Sequence, residues 1–231
     1  MTKIICMDSD PQWPEERRKR VTASDMLCFL GLEPKWWSGS WSEILQGKLT
    51  GRPLELDLGG RVRTRHGSRT EALNLELTSE LLGFGITRHH AFYVNDRWPY
   101  LGATLDGLLW TQRGLGPNLD LSTLTGQTAE TYERLSGLPG PVMVESKNAS
   151  EPFKRNGVYS SWLGDATYPD YYVPQIQAGM HIADFSHCLL AGRIGGRDLS
   201  VYLVERDPEW ASRLDEASAD AEIALGKLWA P

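Results

Sequence analysis

The chain has 231 residues, 41% of them hydrophobic and 23% charged, with 23 glycines and 13 prolines. This is the composition of a globular protein of one domain rather than two, and it excludes global disorder, collagen and low complexity. The formal charge of -6 argues against a coat for nucleic acid or an anionic membrane, but not against an enzyme acting on nucleic acid, where the distribution of charge decides.

Residues 1–16, with Pro11 and Pro14, read as an extended arm. Thr22-Ala-Ser-Asp25 has a capping-box pattern before the apolar run Met26 to Leu30, closed by Gly31, and predicts a short helix. Ser40-Trp-Ser-Glu43 repeats the signature and opens another, ending near Gly47. A longer helix is expected from Thr64 to Leu82. Ala72, Leu75 and Leu82 keep helical spacing and Gly83 follows as a stop. Ile86 to Val94 and Tyr100 to Trp110 are rich in β-branched and aromatic residues around the turn Asn95-Asp96, and read as strands. Residues 111–140 lack a clear period and read as an insertion, with one helical piece at Ala129 to Leu135. Val142 to Lys147 is a strand, Tyr171 to Ala183 a helix, and His187 to Ile194 and Leu199 to Glu205 two further strands. The last helix, Pro208 to Leu228, lies in an acidic segment, 206–231. The order predicts a single α/β domain, 1–231, with a central mixed sheet flanked by helices.

From Glu205 to Pro231 there are seven acidic and three basic residues, which leaves -2 for residues 1–204. Within that larger part lie two basic clusters, Arg17-Arg18-Lys19-Arg20 and Arg61, Arg63, Arg65 and Arg69. The bland reading of each is solvated surface. Cys6, Cys28 and Cys188 are scattered and form no CxxC pair, so neither a disulfide framework nor a thiolate metal site is expected. No signal-peptide pattern opens the chain and no apolar run approaches membrane-spanning length, so a cytoplasmic protein with no membrane partner is expected.

Three segments combine acids with a lysine. In Gly102-Ala-Thr-Leu-Asp106-Gly107 a carboxylate is presented at a bend. In Val142-Met-Val-Glu145-Ser-Lys147 strand alternation puts Glu145 and Lys147 on one face and Val142 and Val144 on the other. An acid and a lysine on a central strand are costly to desolvate unless they have partners or a task. Gly67-Ser-Arg-Thr-Glu71 adds a carboxylate on the long helix. Hydrolysis of a phosphodiester with a divalent ion needs these parts. Carboxylates are hard oxygen ligands, and a nearby lysine can orient water or offset phosphate charge. Taken singly, each segment is an ordinary ion pair, turn or surface acid; their joint order carries the reading.

That order resembles the lambda-exonuclease or YqaJ-type viral recombinase family of the PD-(D/E)XK nuclease superfamily. The carrying residues are Arg17 with Val21-Thr-Ala-Ser-Asp25, Gly67-x-x-x-Glu71, Gly102-Ala-Thr-Leu-Asp106-Gly107, Glu145-Ser-Lys147 and Tyr172-Val-Pro-Gln175-Ile-Gln177-Ala-Gly-Met180. The resemblance covers residues 15–205 and implies a restriction-endonuclease-like core. It implies that Asp106, Glu145 and the Ser146 carbonyl hold Mg²⁺, with Mn²⁺ as a substitute, and that Glu71 holds an ion directly or through water. Lys147 would be the catalytic lysine, and Gln175, or Gln177 in its place, would position water or the scissile phosphate. Arg17 and Ser24 would bind a terminal 5′-phosphate, with Lys154 or Arg155 closing the pocket. The implied activity is 5′→3′ digestion of double-stranded DNA ends to make single strands for recombination. An annealing protein is an implied partner and a homo-oligomeric ring an implied assembly.

The chain departs from the family pattern in two places. Thr104-Leu105 stands where Ser-Pro is usual, with the Thr104 hydroxyl still able to meet a phosphate. The 39 residues from Asp106 to Glu145 are long for neighbouring strands, which the 111–140 insertion accounts for. Two rival expectations follow, a non-catalytic DNA-end or partner-binding module on the nuclease fold, and an endonuclease with the same core. The five histidines, His66, His89, His90, His181 and His187, fit no metal-ligand spacing, and His181 reads as structural.

Overall fold

A computed structural model of the chain describes residues 1–7, 9–33, 40–51, 58–111, 126–149, 168–194, 196 and 198–226, with backbone alone for 58–68 and 149. In chain order the elements begin with β1 (Thr2–Met7), α1 (Trp13–Arg18) and β2 (Val21–Thr22). A 3-10 turn (Ala23–Asp25) then runs into α2 (Met26–Phe29), followed by α3 (Trp41–Thr50) and α4 (Leu58–Leu82). Four strands come next, β3 (Gly85–Arg88), β4 (Ala91–Asn95), β5 (Trp98–Thr104) and β6 (Gly107–Trp110). α5 (Gly126–Ser136), β7 (Pro141–Ala149) and α6 (Val173–Ala183) precede β8 (His187–Ile194), β9 (Asp198–Glu205) and α7 (Trp210–Ala221), which ends in a π-helical turn to Gly226.

The strands form two mixed sheets flanked by helices, ordered β1-β4-β5-β2 and β3-β6-β7-β8-β9. In the larger sheet every pair is antiparallel except β7–β8, whose connection contains α6, as a parallel pair requires. Strand alternation sorts two cores onto its faces. Met143, Cys188, Leu190, Tyr202 and Val204 pack with Ile176, Ala178 and Met180 of α6. Val142, Val144, Leu189, Val201 and Leu203 pack with Leu75 and Leu82 of α4 and Leu135 of α5. Each such fully buried aliphatic side chain contributes about 1.5–3 kcal/mol. Among the described residues no helix is long and apolar enough to cross a membrane.

Three expectations change. The leading arm is paired, since β1 lies antiparallel to β4 from Thr2↔Asn95 to Met7↔Ala91. The run Ile86 to Val94 is two strands broken at His89-His90, and Tyr100 to Trp110 is two strands broken at Leu105-Asp106. The reason is tertiary. β4 pairs with β5 in the small sheet, and β3 pairs with β6 in the large one, so one long antiparallel ribbon bends from sheet to sheet. The His89 amide donates to the Asp106 carbonyl at 3.1 Å and ties the two arms at the bend. Within the 111–140 stretch α5 packs on β9, with Thr131 Oγ1 donating to the Val201 carbonyl at 3.2 Å.

Gly102 sits in β5 beside Thr22 of β2, and a Cβ there would run into the Phe92 ring, which is fully buried. Gly102→Ala is therefore expected to lower stability by about 1–3 kcal/mol. Denaturant titration checks this, and Phe92→Leu in the same chain should recover part of the loss.

Candidate active site

The bend places Asp106. β5 ends at Thr104 and β6 begins at Gly107, so the carboxylate stands at the corner between the sheets. The corner is tight, since a Cβ at Gly107 would lie 3.2 Å from the Thr87 carbonyl and 3.3 Å from Leu75 Cδ2. β6 accompanies β7 only to Gly107↔Val144, whereas β8 accompanies it to Ala149↔Ile194. Beyond Val144 no strand among the described residues covers the other edge of β7. On that edge the Ser146 amide donates to Asp106 Oδ2 at 2.8 Å. A strand residue turns its N–H and C=O to the same side, so the Ser146 carbonyl lies along this edge too.

Glu145 and Lys147 share the α6 face of β7. Glu145 is 3% exposed. Lys147 Nζ donates to Glu145 Oε1 at 2.5 Å and to Gln175 Oε1 at 2.9 Å, while Gln175 Nε2 donates to Glu145 Oε1 at 2.5 Å. Gln175 comes from the first turn of α6, which is how a helix side chain closes a triangle with two strand side chains. The Tyr172 ring, one residue before α6, caps Lys147 with 5.4 Å from Nζ to its centroid. Gln177 faces elsewhere. Its amide donates to the Glu205 carbonyl and accepts from the Asp207 amide, both at 2.9 Å, and pins α6 to the chain leaving β9. Of the two glutamines, Gln175 is the one that reaches the cluster.

Burial pushes the Asp106 carboxyl well above the usual carboxylate range, and the charges of Glu145 and then Glu71 add to it, against the pull of Lys147 and the Ser146 N–H. Burial alone would lower Lys147, but Glu145 and Asp106 outweigh it and raise the ammonium. Two carboxylates thus face one ammonium in a shielded place, and a bound cation would relieve their repulsion. Among the described residues no three His, Cys, Asp or Glu side chains gather into a ready cage. The donor set that fits a hard divalent ion is Asp106, Glu145, the main-chain carbonyl of Ser146 and water. Cys188, beside Met143 on the neighbouring strand β8, is pushed up by burial and by the same acids, and stays a thiol.

Glu71 lies on α4. Its Oε1 is 2.8 Å from His90 Nε2 and 3.6 Å from Arg88 Nε. α4 is registered against β7 by a polar network on the sheet's other face. Asn74, fully buried, donates to Ser146 Oγ at 3.2 Å and to Asn148 Oδ1 at 3.1 Å, and Asn148 donates to Thr70 Oγ1 at 2.7 Å. Arg88, His90, Asn74 and Asn148 have no signal in the sequence, since Asn74 and Asn148 meet only through the packing of distant elements and no helical or strand period marks the turn that brings Arg88 and His90 back to Glu71. Tyr172 lies inside the motif but is not marked by residue type.

The remaining expected site residues scatter more widely. β2 runs parallel to β5, so the turn carrying Ser24 leaves the small sheet at the end from which β5 leads to Asp106. Ser24 is exposed and its hydroxyl meets that of Thr22 at 2.9 Å, while Asp25 accepts from the Thr22 amide and hydroxyl and pairs with Lys48 at 2.7 Å. In the basic run, Lys19 and Arg20 pair with Glu16 and Arg18 with Glu15. Arg17 has no acidic partner among the described residues and lies over the Trp13 ring at 5.8 Å. Thr104 Oγ1 is buried without a hydrogen-bond partner among the described residues, so its hydroxyl is not presented to solvent. Arg69 is exposed. Lys154 and Arg155, and the side chains of Arg61, Arg63 and Arg65, lie outside the described residues.

The chain is similar in fold to an alkaline exonuclease, LHK-Exo, from Laribacter hongkongensis, with 13% identity, a TM-score of 0.59 and coverage of 94% of this chain and 93% of that one. The structure of LHK-Exo in complex with dAMP matches at 14% identity and a TM-score of 0.59, covering 95% and 96% of the two chains. A phage-related exonuclease from Haemophilus somnus matches at 12% identity and a TM-score of 0.55, covering 94% and 97%. No curated protein matches. A family model described as the YqaJ-like viral recombinase domain matches residues 12–186, most of the chain, and the protein belongs to that family.

Proposed function

We propose that this protein is a metal-dependent deoxyribonuclease that digests duplex DNA from its ends, 5′→3′, leaving single strands for recombination. The observation that carries the reading is the convergence of Asp106, Glu145, Lys147 and Gln175 from the sheet corner, β7 and α6. Family membership and the exonuclease neighbours support it.

Asp106, Glu145 and the Ser146 carbonyl would hold Mg²⁺, or Mn²⁺ in its place, with Glu71 at the margin acting directly or through water. An ion held there would supply acidity to bound water and positive charge beside the reacting oxygens. Lys147 offsets charge on the scissile phosphate and orients the attacking water. Gln175 fixes the lysine and Glu145 relative to one another, and the Tyr172 ring limits where the ammonium can go. Arg17, free of acidic partners among the described residues, and the exposed Ser24 suit a terminal 5′-phosphate. An annealing protein that takes up the single strand, and a ring of this chain around the duplex, belong to the same reading.

The test is digestion of a linear duplex carrying one 5′-phosphorylated, end-labelled strand, with and without Mg²⁺, beside closed circular DNA. Release of labelled mononucleotide from the linear duplex only, and only with the ion, is the expected result. Cutting of the closed circle would replace the end-dependent reading with an endonuclease.

A further inference from the structure

Arg88 is the last residue of β3, an edge strand of the five-stranded sheet, and its backbone pairs with Gly107, the residue after Asp106. Its Cα is therefore fixed beside the sheet corner. Its side chain is 54% exposed. Arg88 Nε lies 2.6 Å from His90 Nε2, and that same nitrogen lies 2.8 Å from Glu71 Oε1. One ring nitrogen cannot accept from an arginine and donate to a carboxylate at once. The His90–Glu71 contact is the shielded one, with side chains 16% and 18% exposed. Arg88 is the member left to turn outward, and its one ionic neighbour among the described residues is Glu71, at 3.6 Å.

We propose that Arg88 binds a backbone phosphate of the DNA strand at the mouth of the Asp106–Glu145 site. The assignment rests on the nuclease reading and adds to it a substrate contact. A phosphodiester nearing this site meets Asp106, Glu145 and Glu71, with Lys147 as the inner cation. A guanidinium at the rim supplies the missing positive charge, and its planar fork takes two phosphate oxygens together. Without DNA the fork rests with Nε 3.6 Å from Glu71 Oε1, so taking up a phosphate draws it outward from that carboxylate.

The experiment is fluorescence anisotropy of the full chain with a short 5′-phosphorylated duplex, Ca²⁺ replacing Mg²⁺, over a series of KCl concentrations. Arg88→Ala should bind several-fold more weakly, and the slope of log affinity against log salt should fall by about 1. Arg88→Lys, which keeps the charge, should restore the slope. Melting curves check that both variants are folded. Wild-type affinity and slope in Arg88→Ala, or weaker binding with the slope unchanged, would overturn the assignment and leave the nuclease reading standing. A wild-type chain that neither binds nor digests duplex DNA would remove both.

Discussion

Replacing Lys147 by alanine should slow digestion of linear duplex by about 10²–10⁴-fold, the range set by loss of a positioned proton-transfer or charge-offsetting group. The loss should fall on the maximal rate more than on the DNA concentration needed to reach half of it. Lys147 is the ammonium between Glu145 and Gln175 and stands under the Tyr172 ring, so it acts within the cluster rather than on the approach to it. Its removal also leaves Glu145, almost wholly buried, without its cation. The ion-free variant should therefore melt below the wild type, and added Mg²⁺ should recover more stability in the variant than in the wild type. Initial rates and melting curves with and without the ion measure both effects. Activity within tenfold of wild type in a folded Lys147→Ala chain would end the catalytic assignment.

The second large effect is expected at Asp106, and it has opposite signs for activity and stability. Asp106→Asn removes a carboxylate held near Glu145 while keeping an oxygen for the Ser146 amide. Digestion should fall by about 10³-fold or more, as when a principal electrostatic group is lost. Titration calorimetry with Mn²⁺ should show the ion-binding heat gone. The ion-free variant should nevertheless melt above the ion-free wild type. In the wild type the folded chain holds the Asp106 proton more tightly than the unfolded chain does, because the folded pKa is raised. Ion-free stability should then fall as pH rises from the ordinary carboxylate range through the raised value. Asp106→Asn should flatten that decline, and Mg²⁺ should lift the melting temperature of the wild type alone. An ion-free variant less stable than wild type at neutral pH would contradict the charge-repulsion account.

The strand that carries Glu145 and Lys147 was legible because its pattern rides on a period of two. Val142 and Val144 had to face one core, which left Glu145 and Lys147 together on the opposite face. Asp106 was legible as a carboxylate before a glycine at a bend. The break in its strand was not, because the apolar run from Tyr100 to Trp110 continues across the corner and only pairing with two different sheets divides it. The rim of the site was hidden for a similar reason. His90 meets Glu71 because the chain turns back after α4 and runs along it through β3, and no helical or strand period encodes a contact across 19 residues. The basic run Arg17 to Arg20 carried a legible warning. Glu15 and Glu16 precede it at helical spacing for ion pairs, and they take up Arg18, Lys19 and Arg20.

The open edge of β7 bears on how this protein can vary. Two of the site's contributions, the amide that holds Asp106 and the carbonyl beside it, belong to the main chain of residue 146. A genetic screen at that position should recover glycine, alanine and threonine among active variants, since none removes the amide or the carbonyl. Proline alone deletes the donor outright. A search for inactivating changes should therefore crowd onto Asp106, Glu145 and Lys147 and pass over their neighbour, although it stands among them.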